Sequence, residues 1–453
     1  MMEQTIYIPD RVKTLLQRLR EGGFAAYAVG GCVRDSLLGL TPQDWDLCTD
    51  ARPEQTAACF SDLRTVLTGA QYGTVTVILD GQPFEITTFR AESGYSDRRH
   101  PDGVLFLGSL REDLSRRDFT VNAMAAGADG RVIDCFGGAE DLKNGVLRCV
   151  GDPEKRFSED ALRMLRALRF AARLGFTIEE STAAAIHTQK DALGLVAPER
   201  LKKELTGLLC GPDAARLMAE YADVVCVLIP ELRACMGFRQ FNHHHAYDVW
   251  GHTLAALNVS EPEPLLRLSV LFHDIGKPSV FTFDKQLAGH FYGHAAVSAA
   301  MTEDILRRLR FDGETVRRVT ALVAAHDFNL FDLNEKRIRR LLSKYGEAML
   351  RQLLRLRRAD VLGKGLPGTE RIEIVISEAE ALLDRVLSQQ DCFSLAQLAV
   401  NGNDLLALGI PKGKTVGLLL RRLLDAVVDG SLPNEREVLV QYAQCFSSEA
   451  KTN

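Results

Sequence analysis

Apolar and polar positions change rhythm along this chain. Residues 9–22 repeat apolar positions at helical spacing and stop at Gly22-Gly23, which predicts an amphipathic helix. Ala26-Tyr-Ala-Val29 predicts a short buried strand. Thr74–Leu79 and Phe84–Phe89 are rich in β-branched and aromatic residues and flank Asp80-Gly81, which predicts a hairpin. Beyond Glu159 the period becomes helical, with Leu, Ala and Arg abundant and β-branched runs rare. Glycines cluster at Gly137-Gly138, Gly145 and Gly151-Asp152-Pro153, placing a boundary near 140–155; others are expected near 205–215 and 385–395. The fold class read from this pattern is α+β. A small head with a mixed sheet and helices spans 1–140, and a helical remainder divides into 141–212, 213–390 and 391–453.

Composition narrows the class. Apolar residues are 46% and charged residues 25% of the 453, the balance of a globular protein. No stretch approaches the ~20 apolar residues of a membrane helix, and Met1–Asp10 lacks a signal pattern, so a cytoplasmic protein with no membrane partner is expected. The ten cysteines are scattered without a C-x-x-C pair, which indicates neither a thiolate zinc site nor a disulfide framework. A net charge of −5 argues against a protein that coats nucleic acid indiscriminately. A local basic track is still present, with ten Lys/Arg against four Asp/Glu from Asp332 to Lys364.

Asp44-Trp45-Asp46 leads into an apolar run. On a strand, residues i and i+2 face the same way, so the two carboxylates would aim at one point. Mg²⁺ is held by such carboxylates together with substrate phosphates, and a pair of ions can activate a hydroxyl and stabilise a leaving pyrophosphate. By itself the motif is weak, and a solvated strand or turn explains most instances. Its context adds weight. Gly30-Gly31 lies between a predicted strand and a predicted helix, where backbone N–H groups can approach a phosphate. Glu85 offers a third acid on a neighbouring predicted strand, or else is an ordinary exposed residue.

Four segments together carry a resemblance: Gly-Gly-Cys-Val-Arg-Asp at 30–35, Asp-Trp-Asp at 44–46, Arg-Arg-Asp-Phe-Thr-Val-Asn-Ala-Met at 116–124, and Glu-Asp-Ala-Leu-Arg-Met-Leu-Arg-Ala-Leu-Arg at 159–169. Over residues 24–205 the chain resembles the class II tRNA nucleotidyltransferases and their poly(A) polymerase relatives, with a polymerase-β-like head. The resemblance implies metal ligation by Asp44 and Asp46, and a catalytic set completed by Glu85. It implies nucleotide contacts from Gly31, Arg34 and Arg117, with Asp118 and Asn122 organising the pocket, and from Asp160, Arg163, Arg166 and Arg169. The implied substrates are tRNA, ATP and CTP, with Mg²⁺ in the head, and the enzyme would be a monomer or homodimer.

The chemistry of the arginine-rich stretch stands beside this. Asp160, Arg163, Arg166 and Arg169 recur every three residues and wind around a helix, with Leu162, Leu165, Leu168 and Ala172 as its apolar contacts. Cytosine and adenine each present an amino donor beside a ring-nitrogen acceptor. A carboxylate and a guanidinium complement that edge, whereas uracil and guanine would leave the carboxylate unpaired. One Asp–Arg pair could therefore select C and A without a template. The alternative is a solvated basic helix.

Arg90–Arg111, with Tyr95, Asp97, Arg98, Arg99, His100, Pro101 and Asp102, reads as a loop and resembles the flexible loop of family members that add the final A. Asp141–Arg148 resembles the family's hinge between head and neck. Addition of A alone, or of poly(A), remains an alternative to full CCA addition.

Most of the ten histidines lie between His243 and His326. His252, His273-Asp274 within His-Asp-Ile-Gly-Lys277, His294, His326 and Asp360 follow the order of the HD phosphohydrolase superfamily, which they resemble. Imidazole and carboxylate suit Mg²⁺ or a transition metal such as Ni²⁺, Mn²⁺ or Co²⁺. A hydrolase activity centred there is the reading from a different class, with an inert scaffold as its alternative. His243-His244-His245 reads as a solvated cluster. In the tail, Gly402–Gly409, Gly413 and Gly417 precede an amphipathic helix and resemble the tRNA-contacting tail of clostridial-type relatives.

Overall fold

A computed structural model describes residues 4–93, 103–106, 108–241, 246–329, 333–367, 370–389 and 392–449. The chain forms two compact units, Met1–Pro230 and Glu231–Asn453.

The first unit opens with helix α1 (Asp10–Glu21). Val12, Leu15, Leu16 and Leu19 form its buried stripe, while Asp10 in the first turn and Arg18 and Arg20 in the last complement the helix dipole. It packs on β1 (Ala26–Val29), which is followed by α2 (Gly31–Leu37), β2 (Leu47–Thr49), α3 (Pro53–Cys59), β3 (Arg64–Val66), β4 (Thr74–Leu79) and β5 (Gln82–Thr88). β6 (Arg90–Ser93) pairs antiparallel with β7 (Gly103–Phe106) as a separate ribbon. After α4 (Leu110–Ser115), β8 (Met124–Ala126) and β9 (Val132–Asp134) complete a seven-stranded sheet of order β3-β4-β5-β2-β1-β8-β9.

The β4–β5 hairpin turns at Asp80 (φ 51°) and Gly81 (φ 77°), the doubly positive pair that matches strand twist. Cross-strand pairs Val75–Ile86 and Val77–Phe84 are buried on one face, whereas Thr76 opposes Glu85 on the other. β5 runs parallel to β2 with Leu47 beside Ile86, and β2 runs antiparallel to β1.

Two expectations are corrected here. Asp44 and Asp46 precede β2 instead of lying on it. One ladder bond continues to Asp46, whose carbonyl accepts the Val29 N–H at 2.9 Å. Beyond Val29, Gly30 (φ 84°) turns the neighbouring strand away into α2, so Asp44 has no partner with which to extend the ladder. Within the segment read as a loop from Arg90 to Arg111, Arg90–Ser93 pairs with Gly103–Phe106 because a backbone ladder runs from Arg90–Phe106 to Ser93–Gly103, and Leu110 opens α4; Tyr95 to Asp102 lie outside the described residues.

The unit continues through α5 (Gly138–Asn144), β10 (Val146–Leu147), α6 (Pro153–Glu159), α7 (Leu162–Leu174), β11 (Thr177–Ile178), α8 (Glu180–Gln189), α9 (Pro198–Leu209), α10 (Ala214–Glu220) and α11 (Ala222–Leu228). Asp152 caps α6 by accepting from the Glu154 N–H, with Pro153 at the first helical position. Leu162, Leu165, Leu168 and Ala172 are buried on α7, which packs on α9. Asp160 is not on that helix. Its extended backbone (φ −145°, ψ 102°) breaks α6 from α7 and lifts the residue out of the helical stripe.

The second unit is helical: α12 (Val249–Val259), α13 (Pro264–Phe272), α14 (His294–Arg308), α15 (Gly313–Ala325), α16 (Glu335–Tyr345), α17 (Glu347–Leu362) and α18 (Glu370–Ser388), with a small hairpin of β12 (Thr282–Phe283) and β13 (Gly289–His290) before α14. α19 (Gly402–Ala407), α20 (Lys414–Val428) and α21 (Arg436–Glu449) close around a core that includes Val400, Leu405, Leu423 and Leu439.

Candidate functional site

The acidic cleft of the head forms where β1, β2 and β5 meet. Extending the β2–β5 register by one residue sets Asp46 beside Glu85, on the face opposite buried Phe84 and Ile86. Asp46 stays open to solvent, yet the protein crowded around its carboxyl pushes its pKa up. Arg117 pulls it down, and Glu85 and Asp44 add like-charge repulsion. Three carboxyl groups gathered in this way form a cation-seeking set. Arg117 lies over the glycine turn: a Cβ on Gly30 would come within 3.0 Å of its Nη1. Arg117 also faces Asp113 at 3.6 Å.

From this turn a chain of hydrogen bonds runs to α7. Arg34, buried, donates through Nε to Asp35 at 2.8 Å and through Nη1 to Asn122 Oδ1 at 2.5 Å. Asn122 Nδ2 donates to Asp118 Oδ1 at 3.1 Å, and Asp118 Oδ2 accepts from Arg166 Nη2 at 2.7 Å. Burial pushes the Asp118 carboxyl up, but Arg166 and Asn122 overcome it and hold it at about 2. Arg169 donates to Glu204 of α9 and stacks over Phe170, its guanidinium carbon 4.2 Å from the ring centroid. The Arg34 and Arg166 guanidinium groups approach the same ring at 5.1 and 5.4 Å.

Asp160 and Arg163 are each engaged by other partners. Arg200 of α9 donates to Asp160 through Nη1 at 3.2 Å and Nη2 at 2.7 Å. Arg163 donates to Glu159 at 2.7 Å and to the Arg156 carbonyl at 3.1 Å. Asp160 is thus clamped from α9, and Arg163 by Glu159 four residues before it. Arg200, Glu204, Glu159, Asp113 and Phe170 were missed by sequence reasoning. The one signal for the first two was Arg200 and Glu204 at i, i+4 on a helix opened by Pro198. Asp141 of the hinge-like segment accepts from Thr120 at 2.7 Å and from Arg148 Nε at 3.1 Å, tying that segment to the wall of the pocket.

The second unit gathers all six residues of the His/Asp pattern. His252 Nε2 lies 3.2 Å from Asp360 Oδ1 and 3.5 Å from Asp274 Oδ2; His273 Nε2 lies 3.3 Å from Asp274 Oδ2. His294 and His326 reach the other oxygen, Asp274 Oδ1, at 3.4 and 3.7 Å. Among the described residues, two groups bring their ligand atoms within 4.8 Å of one another: His252, His273, Asp274 and Asp274, His294, His326. Among the same described residues, the head acids form no such group.

Backbone carbonyls set the imidazoles. Nδ1 of His273, His294 and His326 lies 2.7, 2.9 and 2.7 Å from the carbonyls of Val270, Phe291 and Val323. A carbonyl only accepts, so each Nδ1 carries the proton and each Nε2 turns a lone pair inward. His294 and His326 then face each other, Nε2 to Nε2, at 3.2 Å. Two opposed lone pairs repel unless a cation lies between them, so this donor set fits a divalent metal. Burial opposes charge on His273, but Asp274 and Asp360 raise its pKa; burial lowers that of His294. A cavity of about 380 Å³ opens beside this cluster, lined also by Lys277, Arg357 and Lys364.

The basic track is largely paired within the protein. Arg340 pairs with Asp429 at 2.6 Å, Arg351 with Asp384 at 2.7 Å, Arg355 with Glu261 at 3.4 Å and Arg358 with Glu373 at 2.6 Å. His243–His245 lie outside the described residues. No described helix is long and apolar enough to cross a membrane.

Comparison with known proteins follows this geometry. Residues 26–148 match the family profile described as the poly A polymerase head domain; 175–236 match that of an RNA and SrmB-binding site of polymerase A, and 290–443 that of tRNA nucleotidyltransferase domain 2. The CCA-adding enzyme of Lactobacillus helveticus is 33% identical over 450 residues, covering 96% of this chain and 98% of that protein. That of Enterococcus faecalis is 33% identical over 461 residues, covering 96% and 97%. The crystal structure of the Bacillus stearothermophilus CCA-adding enzyme in complex with CTP superposes with a TM-score of 0.73 at 29% identity, covering 97% of this chain and 98% of that one. A Thermotoga maritima CCA-adding enzyme complexed with tRNA shares the fold, with a TM-score of 0.56 at 22% identity and coverage of 98% and 99%.

Proposed function

The chain belongs to the CCA-adding enzymes, and from that premise we propose that it adds CCA to the 3′ end of tRNA from CTP and ATP, choosing bases with Asp160 and Arg163. One observation carries the reading. An unbroken hydrogen-bonded path, Arg34–Asn122–Asp118–Arg166, joins the glycine turn beside the acidic cleft to the arginine helix.

Each part then has a task. Asp44 and Asp46, with Glu85, would hold Mg²⁺, which when bound supplies positive charge for the attacking hydroxyl and the leaving pyrophosphate. Desolvation of the Asp46 carboxyl, with repulsion from Glu85 and Asp44 added to it, supports that fit. Gly31 keeps the turn open to a triphosphate, and Arg34 and Arg117 bring positive charge to it. Asp118 fixes Arg166, and Glu204 fixes Arg169, so that both guanidinium groups are oriented before substrate arrives. The Asp160 carboxylate accepts from the amino group of C or A, and Arg163 donates to the adjacent ring nitrogen. With Arg200 on both oxygens and the Leu162 N–H on Oδ1, the Asp160 carboxylate keeps an Oδ2 lone pair for this. The chain would thereby act as head, neck, body and tail, at 1–140, 141–212, 213–390 and 391–453.

The test supplies tRNA transcripts ending before the first C, after the second C, and intact, with each labelled NTP alone. Full CCA addition, A-only addition and poly(A) synthesis give different ladders. Asp160→Ala that still rejected UTP and GTP would rule out the protein-template mechanism.

A second reading is favoured by the two ligand triads sharing Asp274: the body is also a metal-dependent phosphohydrolase. Mg²⁺, Mn²⁺, Ni²⁺ or Co²⁺ would be held by His252, His273, Asp274, His294, His326 and Asp360, and would supply Lewis acidity there. Release of phosphate from p-nitrophenyl phosphate with these metals tests it.

A further inference from the structure

The cavity beside the body's His/Asp cluster has an aromatic mouth. Tyr292 is 76% exposed, unusual for a large ring, and lies parallel to His290 with an interplanar angle of 6° and centroids 5.2 Å apart. Both rings line the cavity together with Asp274, His294, Arg357 and Lys364.

The stack is held firmly. His290 Nε2 lies 2.8 Å from Asp284 Oδ2, which fixes the imidazole plane. The strand carrying His290 is pinned by Gly289, where a Cβ would meet the Gln240 carbonyl oxygen at 2.3 Å, and Gly289 N–H donates to the Phe241 carbonyl at 2.8 Å. Gly293 (φ 77°) then turns the chain directly into His294. Platform and metal-ligand candidate are thus separated by one residue of constrained backbone. A ring with one face on His290 and so much of its surface in solvent is available for another flat π-system. The cations of the wall suit a phosphate. The volume, about 380 Å³, is in the range of small-molecule sites and excludes a folded RNA.

We propose that the His290–Tyr292 stack is a nucleobase platform, so that the body hydrolyses phosphomonoesters that carry a base: a free nucleoside monophosphate or the terminal nucleotide of an RNA. This rests on the phosphohydrolase reading of the cavity. The step is hydrolysis: a water oxygen bonds to phosphorus, the P–O bond to ribose breaks, and the proton lost by water ends on the released hydroxyl.

The test uses full-length protein loaded with Mn²⁺. Hydrolysis of AMP is compared with that of ribose 5-phosphate, which lacks the base, and of an RNA oligonucleotide ending in a 3′-phosphate. In parallel, 8-azido-AMP is photo-cross-linked and the labelled peptides are mapped, a readout independent of turnover. The wild type should label the peptide containing His290–Tyr292. Tyr292→Ala should lose that label and raise KM for AMP about five- to a hundred-fold, the range of base–aromatic stacking, with ribose 5-phosphate unchanged. Tyr292→Phe should keep both. Preference between AMP and the oligonucleotide distinguishes the two sources of the base. If AMP and ribose 5-phosphate have equal KM and Tyr292→Ala alters neither, the platform is wrong while the phosphohydrolase stands. If no phosphoester is cleaved, the phosphohydrolase reading fails; absence of label at 290–292 then overturns the platform as well.

Discussion

Arg200 grips the carboxylate of Asp160 with two hydrogen bonds, Nη1 to Oδ1 at 3.2 Å and Nη2 to Oδ2 at 2.7 Å, across forty residues of sequence. Asp160 stands on extended backbone between α6 and α7, where the Leu162 N–H also donates to its Oδ1 at 3.1 Å. The guanidinium therefore sets the direction in which the remaining lone pairs point, and those lone pairs would read a base amino group. Arg200→Ala should lower kcat/KM for CTP and ATP about tenfold and shrink their advantage over UTP, because a carboxylate free to rotate loses its pre-orientation. Arg200→Lys should restore charge but not the two-point grip, recovering only part. Single-nucleotide incorporation on a tRNA transcript measures both. An unchanged CTP-to-UTP ratio in Arg200→Ala would remove Arg200 from base selection.

Asp118 makes stability sensitive to acid. Its carboxyl titrates at about 2 in the folded chain against an ordinary value of 3.8. A group depressed in this way contributes stability that is complete above the unfolded value and lost as pH falls through the folded one. The window is thus roughly pH 4 to 2, and the amount about 2 kcal/mol. Asp118→Asn should be less stable at pH 7 and lose less between pH 4 and 2. Urea denaturation at several pH values checks this; parallel curves for wild type and variant would contradict it.

How much of this was legible in the sequence follows from distance along the chain. The helix ending at Gly22-Gly23 and the Asp80-Gly81 hairpin rest on spacings of a few residues, and both formed where expected. The six His/Asp residues of the body also came together as their order implied. Arg200, Glu204 and Phe170 were not legible as site residues. Their roles depend on α9 packing against α7, which local periodicity does not encode. The strand assignment for Asp44 failed because a ladder needs a partner, and Gly30 removes it. His290 and Tyr292 left no signal, since an alternating aromatic pair is usually core.

The basic track shows the converse case, a run of charge that finds partners within the protein. Arg340, Arg351 and Arg358 commit their charge to Asp429, Asp384 and Glu373. A cation already paired gains little by exchanging one anion for a phosphate. Alanine at Arg340 or Arg351 should therefore change tRNA affinity by no more than about twofold, with the slope of log affinity against log salt nearly unchanged. Deleting a cation that neutralises one phosphate would instead reduce that slope by about 0.7–0.9. Filter binding from 50 to 200 mM salt decides the matter, and a slope lower by about one would place the track at the RNA interface.

Metal stoichiometry tests the body cluster most directly. Asp274 offers Oδ2 to the side of His252 and His273, and Oδ1 to that of His294 and His326. A carboxylate placed in this way belongs to both triads, so its loss should not resemble the loss of one histidine. In a background where Asp44→Ala and Asp46→Ala silence the head, wild-type body residues should take up two Mn²⁺ ions. His252→Ala and His326→Ala should each retain one, and Asp274→Ala none. Bound metal should also raise Tm, since an ion held by the folded state alone stabilises it by mass action, and because it relieves the opposed lone pairs of His294 and His326. Elemental analysis after dialysis, with thermal melts on the same samples, gives both quantities. Retention of both ions by Asp274→Ala would show that the carboxylate is not the shared ligand, and a Tm indifferent to Mn²⁺ would place the ions outside this cluster.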